Sequence, residues 1–86
     1  MTGSYSLLFK KSAERDLRKI PKADLQRIIQ RIKELAAMPR PSGNEKLAGQ
    51  DSYRIRQGDY RVIYTVNDDQ RQVEIIKIGH RREVYR

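Results

Sequence analysis

Between Lys22 and Met38 the apolar residues Leu25, Ile28, Ile29, Ile32, Leu35 and Ala36 fall at i, i+3, i+4, i+7, i+10 and i+11. That spacing draws one stripe along an α-helix. Gln26, Arg27, Gln30, Arg31, Lys33 and Glu34 take the opposite side. A helix with a single oily stripe has to bury it against a second layer, and the rest of the chain must supply that layer. With 86 residues in all, one domain over residues 1–86 is expected.

The second layer is read from the C-terminal half. Pro39, Pro41, Ser42 and Gly43 end the helix. Three strands then follow, at about Ser52–Gln57, Tyr60–Asn67 and Gln72–His80. Gly58-Asp59 suits a two-residue hairpin turn in which glycine takes the positive φ, and Asn67-Asp68-Asp69-Gln70 suits the next turn. Before the long helix, Tyr5–Lys10 reads as a short first strand. Ser12 is then the expected N-cap of a first helix, with Glu14 and Asp16 in its first turn and Pro21 closing it or starting the next. The expected fold is α+β, with two N-terminal helices packed on a small antiparallel β-sheet of about four strands.

With Gly58 and Asp59 at the tip of the hairpin, Arg56 faces Arg61 and Arg54 faces Ile63. Side chains alternate along a strand. Arg54, Arg56 and Arg61 therefore share one face, while Tyr53, Ile55, Tyr60, Val62 and Tyr64 share the other. Like charges facing each other across strands cost stability, so folding alone does not account for the cationic face. Guanidinium groups stay charged and fork onto phosphate oxygens. The whole chain agrees: 19 Lys+Arg against 11 Asp+Glu give a net charge of +8, which points to an anionic partner, most often nucleic acid.

The last segment, VEIIKIGHRREVYR, brings His80, Arg81, Arg82 and Tyr85 towards the same place. An even second loop puts His80 on the cationic face and an odd one puts Arg81 there. A neutral imidazole can serve as a general base near pH 7, and a tyrosine can stack on an unpaired base. One histidine, no cysteine and scattered acids make no metal cage, so no metal and no cofactor are expected. No glycine-rich phosphate loop or serine–histidine arrangement is found. The N-terminus lacks the apolar core of a signal peptide and no run approaches the ~20 apolar residues of a membrane span, so a cytoplasmic setting is expected. The remaining tools are arginine, one histidine and tyrosine. They suit metal-free cleavage of RNA, in which the substrate's own 2′-OH attacks the adjacent phosphate and cations stabilise the charge that develops.

The helical pair ending in MPRP, then KLAGQDSYRIRQGDYRVIY, then VEIIKIGHRREVYR carry a resemblance to the RelE/ParE superfamily of bacterial and archaeal toxins. The KL-x-G, Y-R-I-R, G-DYR-V-Y and I-GHR-E-VY pieces are specific as an ordered set, and they cover nearly the whole chain. The resemblance implies a compact sheet with two helices and a cognate antitoxin that wraps and neutralises the toxin. In detail the chain is more similar to the RelE branch, whose members are mRNA endonucleases acting at the ribosomal A site. Arg54 and Arg56 match phosphate-contacting residues of that branch, with Lys46 and Arg82 added as RNA-binding positions. Arg61 matches the stabiliser of transition-state charge. Arg81 matches a leaving-group acid or charge clamp, and Tyr85 the tyrosine that stacks on the substrate base. The branch often carries lysines where this chain has Arg54 and Arg56. A desolvated lysine can act as a base and arginine essentially cannot, which moves the base role to His80, with Tyr85 second. A gyrase-inhibiting toxin of the ParE kind and a non-catalytic nucleic-acid-binding module are the alternatives.

Overall fold

The computed structural model describes residues 4–47 and 52–80. Strand β1 (Ser6–Phe9) leads into helices α1 (Lys11–Arg18) and α2 (Lys22–Ala37). Strands β2 (Glu45–Lys46), β3 (Ser52–Gln57), β4 (Tyr60–Asn67) and β5 (Gln72–His80) follow. The expected α+β class holds, and the three long strands and α2 occupy the expected ranges. The sheet differs from the antiparallel one of about four strands: it has five, in the order β1-β5-β4-β3-β2. It is also mixed, because β1 runs parallel to β5, with Leu7 beside Val73 and Phe9 beside Ile75. β1 reaches its parallel partner through both helices and the successively antiparallel strands β2, β3 and β4, the long connection that a parallel pair needs.

The stripe on α2 does what its spacing demands. Ile28, Ile32 and Leu35 are buried, and they meet Tyr53, Ile55, Val62, Tyr64, Val73, Ile75 and Ile78 from one face of the sheet. The start of α1 differs from the expected serine cap. Its N-cap is Lys10, without a side-chain hydrogen bond. Ser12 and Asp16 act at a distance instead: Ser12 Oγ donates to the Ile76 carbonyl at 2.8 Å, and the Ile78 amide donates to Asp16 Oδ2 at 2.9 Å. β1 pairs with only the first residues of β5, so α1 takes over the rest of that edge. A strand edge left bare would invite pairing with other chains.

One irregularity decides which side chains reach the open face of the sheet. The β4–β5 register runs Asn67↔Gln72 to Tyr64↔Ile75, then resumes at Ile63↔Lys77, leaving Ile76 as an extra residue. The turn itself holds four residues, with Arg71 at φ +53° and the Gln70 amide bonded to Asn67 Oδ1 at 3.0 Å. An even loop would have put His80 with the arginines. The bulge reverses the pleat, as one inserted residue does, so Arg61 faces Gly79 and His80 faces Tyr60.

A second set of contacts holds the loop that leads to β2. Tyr64 Oη donates to the Pro39 carbonyl at 2.6 Å, and burial pushes this phenol up to about 12. Arg40 Nε donates to Tyr53 Oη at 2.9 Å, with its guanidinium 5.1 Å from the centroid of that ring. Its two terminal nitrogens bind Asp68 at 3.1 and 2.9 Å, and Tyr5 Oη donates to the same carboxylate at 2.8 Å. The hydrogen bonds from Arg40 and then Tyr5 hold the Asp68 carboxyl below its usual range. A group depressed in this way stabilises the fold above its unfolded pKa of about 3.9 and loses that contribution as pH falls through the folded value. The melting temperature of the natural chain is therefore expected to fall more steeply below about pH 4 than that of Asp68→Asn. The difference will be small, because the pair is exposed. Parallel acid limbs in melts of the two proteins would contradict it.

Candidate functional site

The hairpin register is the one read from the sequence: Arg56 opposes Arg61 and Arg54 opposes Ile63 across the Gly58 turn, where φ is +60°. All three arginines therefore lie on the face away from the helices. Arg61 is held most firmly. It is only 6% exposed, and its Nη1 donates to the Tyr60 carbonyl at 3.3 Å. The glycine opposite it on β5 sets no side chain beside the guanidinium. Arg54 is largely covered and Arg56 is exposed.

Beside them lies a residue that sequence reasoning missed. Glu45 on β2 lies across from Arg54. Its Oε1 accepts from Arg54 Nε at 3.1 Å and from Arg54 Nη2 at 2.7 Å. The hydrogen-bonded Arg54 holds the Glu45 carboxyl below its usual range, and the fields of Arg54, Arg56 and Arg61 lower it further. All three arginines thus act on one carboxylate. They line a hollow of about 420 Å³ with Glu45, Asn44 and Arg31. Nothing in the sequence marks Glu45, because a two-residue strand has no periodicity to read. Arg31 had a weak signal: it borders the buried stripe, three residues after Ile28 and four before Leu35.

Other expected members are placed elsewhere. Lys46 lies across from Tyr53, so strand alternation turns it from the arginine face. His80 packs edge-on against Tyr60, with ring centroids 5.7 Å apart. It lines a small hollow on the helix side with Asp16, Lys19 and Ile20. Of the two placements that the sequence left open, the bulge gives the one with His80 off the arginine face. Arg81, Arg82 and Tyr85 lie outside the described residues. Among the described residues no group of histidines and acids could hold a metal ion, and no helix is long and apolar enough to cross a membrane.

A hollow with several guanidiniums on one rigid sheet, one of them buried, is suited to an anion with more than one oxygen, since each fork binds in pairs. Its present anion is the chain's own carboxylate. An incoming phosphate would exchange for Glu45 on Arg54 rather than fill bare solvent.

Residues 7–85 match the family described as the ParE toxin of the type II toxin–antitoxin system parDE. The toxin RelG of Mycobacterium tuberculosis is 31% identical over 86 residues, covering 95% of this chain and 97% of that one. The isolated RelE toxin of E. coli superposes with a TM-score of 0.80 at 32% identity, covering 95% of this chain and 92% of that one. The RelE of the RelE–RelB complex from Pyrococcus horikoshii gives 0.78 at 32% identity, with 91% and 96% covered. By fold, by length and by sequence, this chain belongs to the RelE/ParE family of type II toxin–antitoxin toxins.

Proposed function

We propose that this toxin is a metal-independent endoribonuclease that cleaves mRNA on the ribosome, and that a cognate antitoxin protein neutralises it. The observation that supports the activity is that Arg54, Arg56 and Arg61 share one face of the sheet and line a single hollow of about 420 Å³. In the reaction the substrate's 2′-oxygen attacks the neighbouring phosphorus, the P–O5′ bond breaks, and the products are a 2′,3′-cyclic phosphate and a 5′-hydroxyl. The 2′-proton is lost to a base and the leaving oxygen gains one. Arg54 and Arg56 hold the phosphate, and buried Arg61, fixed before substrate arrives, stabilises the charge that builds on the phosphoryl oxygens.

His80 faces away from this centre, which argues against it as the base and leaves Tyr85, with Arg81 at the leaving group. His80→Gln is expected to retain cleavage. A loss of cleavage with the melting temperature unchanged would return His80 to the mechanism. The antitoxin is the partner proposed by similarity to RelE, which is found in complex with RelB in Pyrococcus horikoshii.

Primer extension on translated mRNA after induction of the toxin tests the activity. Cuts within codons are expected, and they should vanish when the antitoxin is co-expressed. DNA damage without such cuts would move the protein to the gyrase-inhibiting reading. Unharmed growth would leave a non-catalytic nucleic-acid-binding module.

A further inference from the structure

We infer that the arginine hollow is one part of a longer channel, and that single-stranded RNA runs on from it into a groove between α2 and the free end of β3. This rests on the ribonuclease reading and adds to it a subsite for nucleotides flanking the cleaved bond. The groove has a volume of about 520 Å³ and is lined by Gln26, Arg27, Gln30 and Arg31 of α2 with Arg56 and Gln57 of β3. Arg31 and Arg56 also line the arginine hollow, so the two spaces adjoin.

The groove exists because β2 is short. It pairs only with Tyr53 and Arg54, so from Ile55 onward β3 has no outer neighbour among the described residues, and α2 borders the gap. Arg27 and Arg31 stand one helical turn apart, about 6 Å along the axis. A row of guanidiniums at that spacing suits a polymer with a charge on every repeat. The same groove is lined by three carboxamides, Gln26, Gln30 and Gln57, which both donate and accept hydrogen bonds. Base edges present both kinds of group, whereas the carboxylates of an acidic peptide only accept. Glu34 at the groove wall bonds Arg31 at 3.4 Å. Such an exposed pair is weak, so a phosphate can draw Arg31 away from it.

The test uses 2′-O-methyl oligoadenylates of three and nine nucleotides, which cannot be cleaved because the attacking oxygen is blocked. Binding to the full chain is followed by fluorescence anisotropy over a range of salt. Relative to the natural protein, Arg27→Gln with Arg31→Gln is expected to weaken the nine-mer at least about tenfold. The log–log salt slope should become shallower by about 1.4, the value for two phosphate contacts on a single strand. The three-mer, seated in the arginine hollow, should bind Arg27→Gln as before, since Arg27 lines the groove and not the hollow. Arg27→Gln alone should give half the change in slope, and melting curves confirm that both variants are folded. Unchanged nine-mer affinity and slope would overturn the inference. So would a double variant that keeps RNA affinity but loses affinity for the purified antitoxin, since the groove would then be a protein-docking surface. If the natural chain binds neither oligomer, the groove inference is overturned, while primer extension on translated mRNA separately decides the ribonuclease reading.

Discussion

Arg61→Gln is expected to slow mRNA cleavage by about 100- to 1,000-fold, the usual cost of removing one preorganised charge-stabilising donor. Growth arrest on induction should be lost with it. The expectation comes from the placement of Arg61 more than from its charge. The side chain is 6% exposed and bonded to the Tyr60 carbonyl, so its conformational freedom is spent during folding and not during the reaction. Arg56, exposed on the same face, has to be ordered by the substrate, and Arg56→Gln should cost less. Arg61→Lys separates charge from geometry. It keeps the cation but loses the planar fork, and should recover only part of the rate. Cleavage by Arg61→Gln at the natural rate, in protein that melts normally, would take Arg61 out of the chemistry.

Leu35→Ala is expected to destabilise the fold by about 2–5 kcal/mol. Leu35 has no exposed surface, and the truncation leaves a cavity where the end of α2 packs on the sheet. For a domain of this size each kcal/mol lowers the melting temperature by about 4–8 °C. The loss is a large part of the roughly 5–15 kcal/mol a small domain has in total. Chemical denaturation should show a lower midpoint at unchanged slope. A shift below about 1 kcal/mol would mean that α2 repacks without its stripe.

Long periodic segments were legible in the sequence and single-residue irregularities were not. The α2 stripe, the hairpin about Gly58 and the shared face of Arg54, Arg56 and Arg61 all follow from repeat spacing, and each stands as read. The parallel docking of β1 was not legible, because a four-residue strand carries no mark of its partner's direction. Nor was the bulge at Ile76. Apolar residues fill positions 75, 76 and 78 on either phase, so pattern alone cannot tell which residue is the extra one. That single residue moved His80 to the helix side. Glu45 escaped for a related reason: its role depends on lying across from Arg54, a fact of pairing and not of local sequence.

The union of β1 with β5 joins Ser6–Phe9 to Gln72–Ile75, so one edge of the sheet is closed by residues far apart in the sequence. During synthesis the first strand must wait, unpaired, until the last has left the exit tunnel. Helices α1 and α2 can form early from local contacts, but the layer they cover cannot. Closing such a long loop is slow compared with forming helices. The nascent toxin therefore spends its time on the ribosome with its sheet incomplete, and it acquires its finished shape only after the coding sequence for β5 has been read.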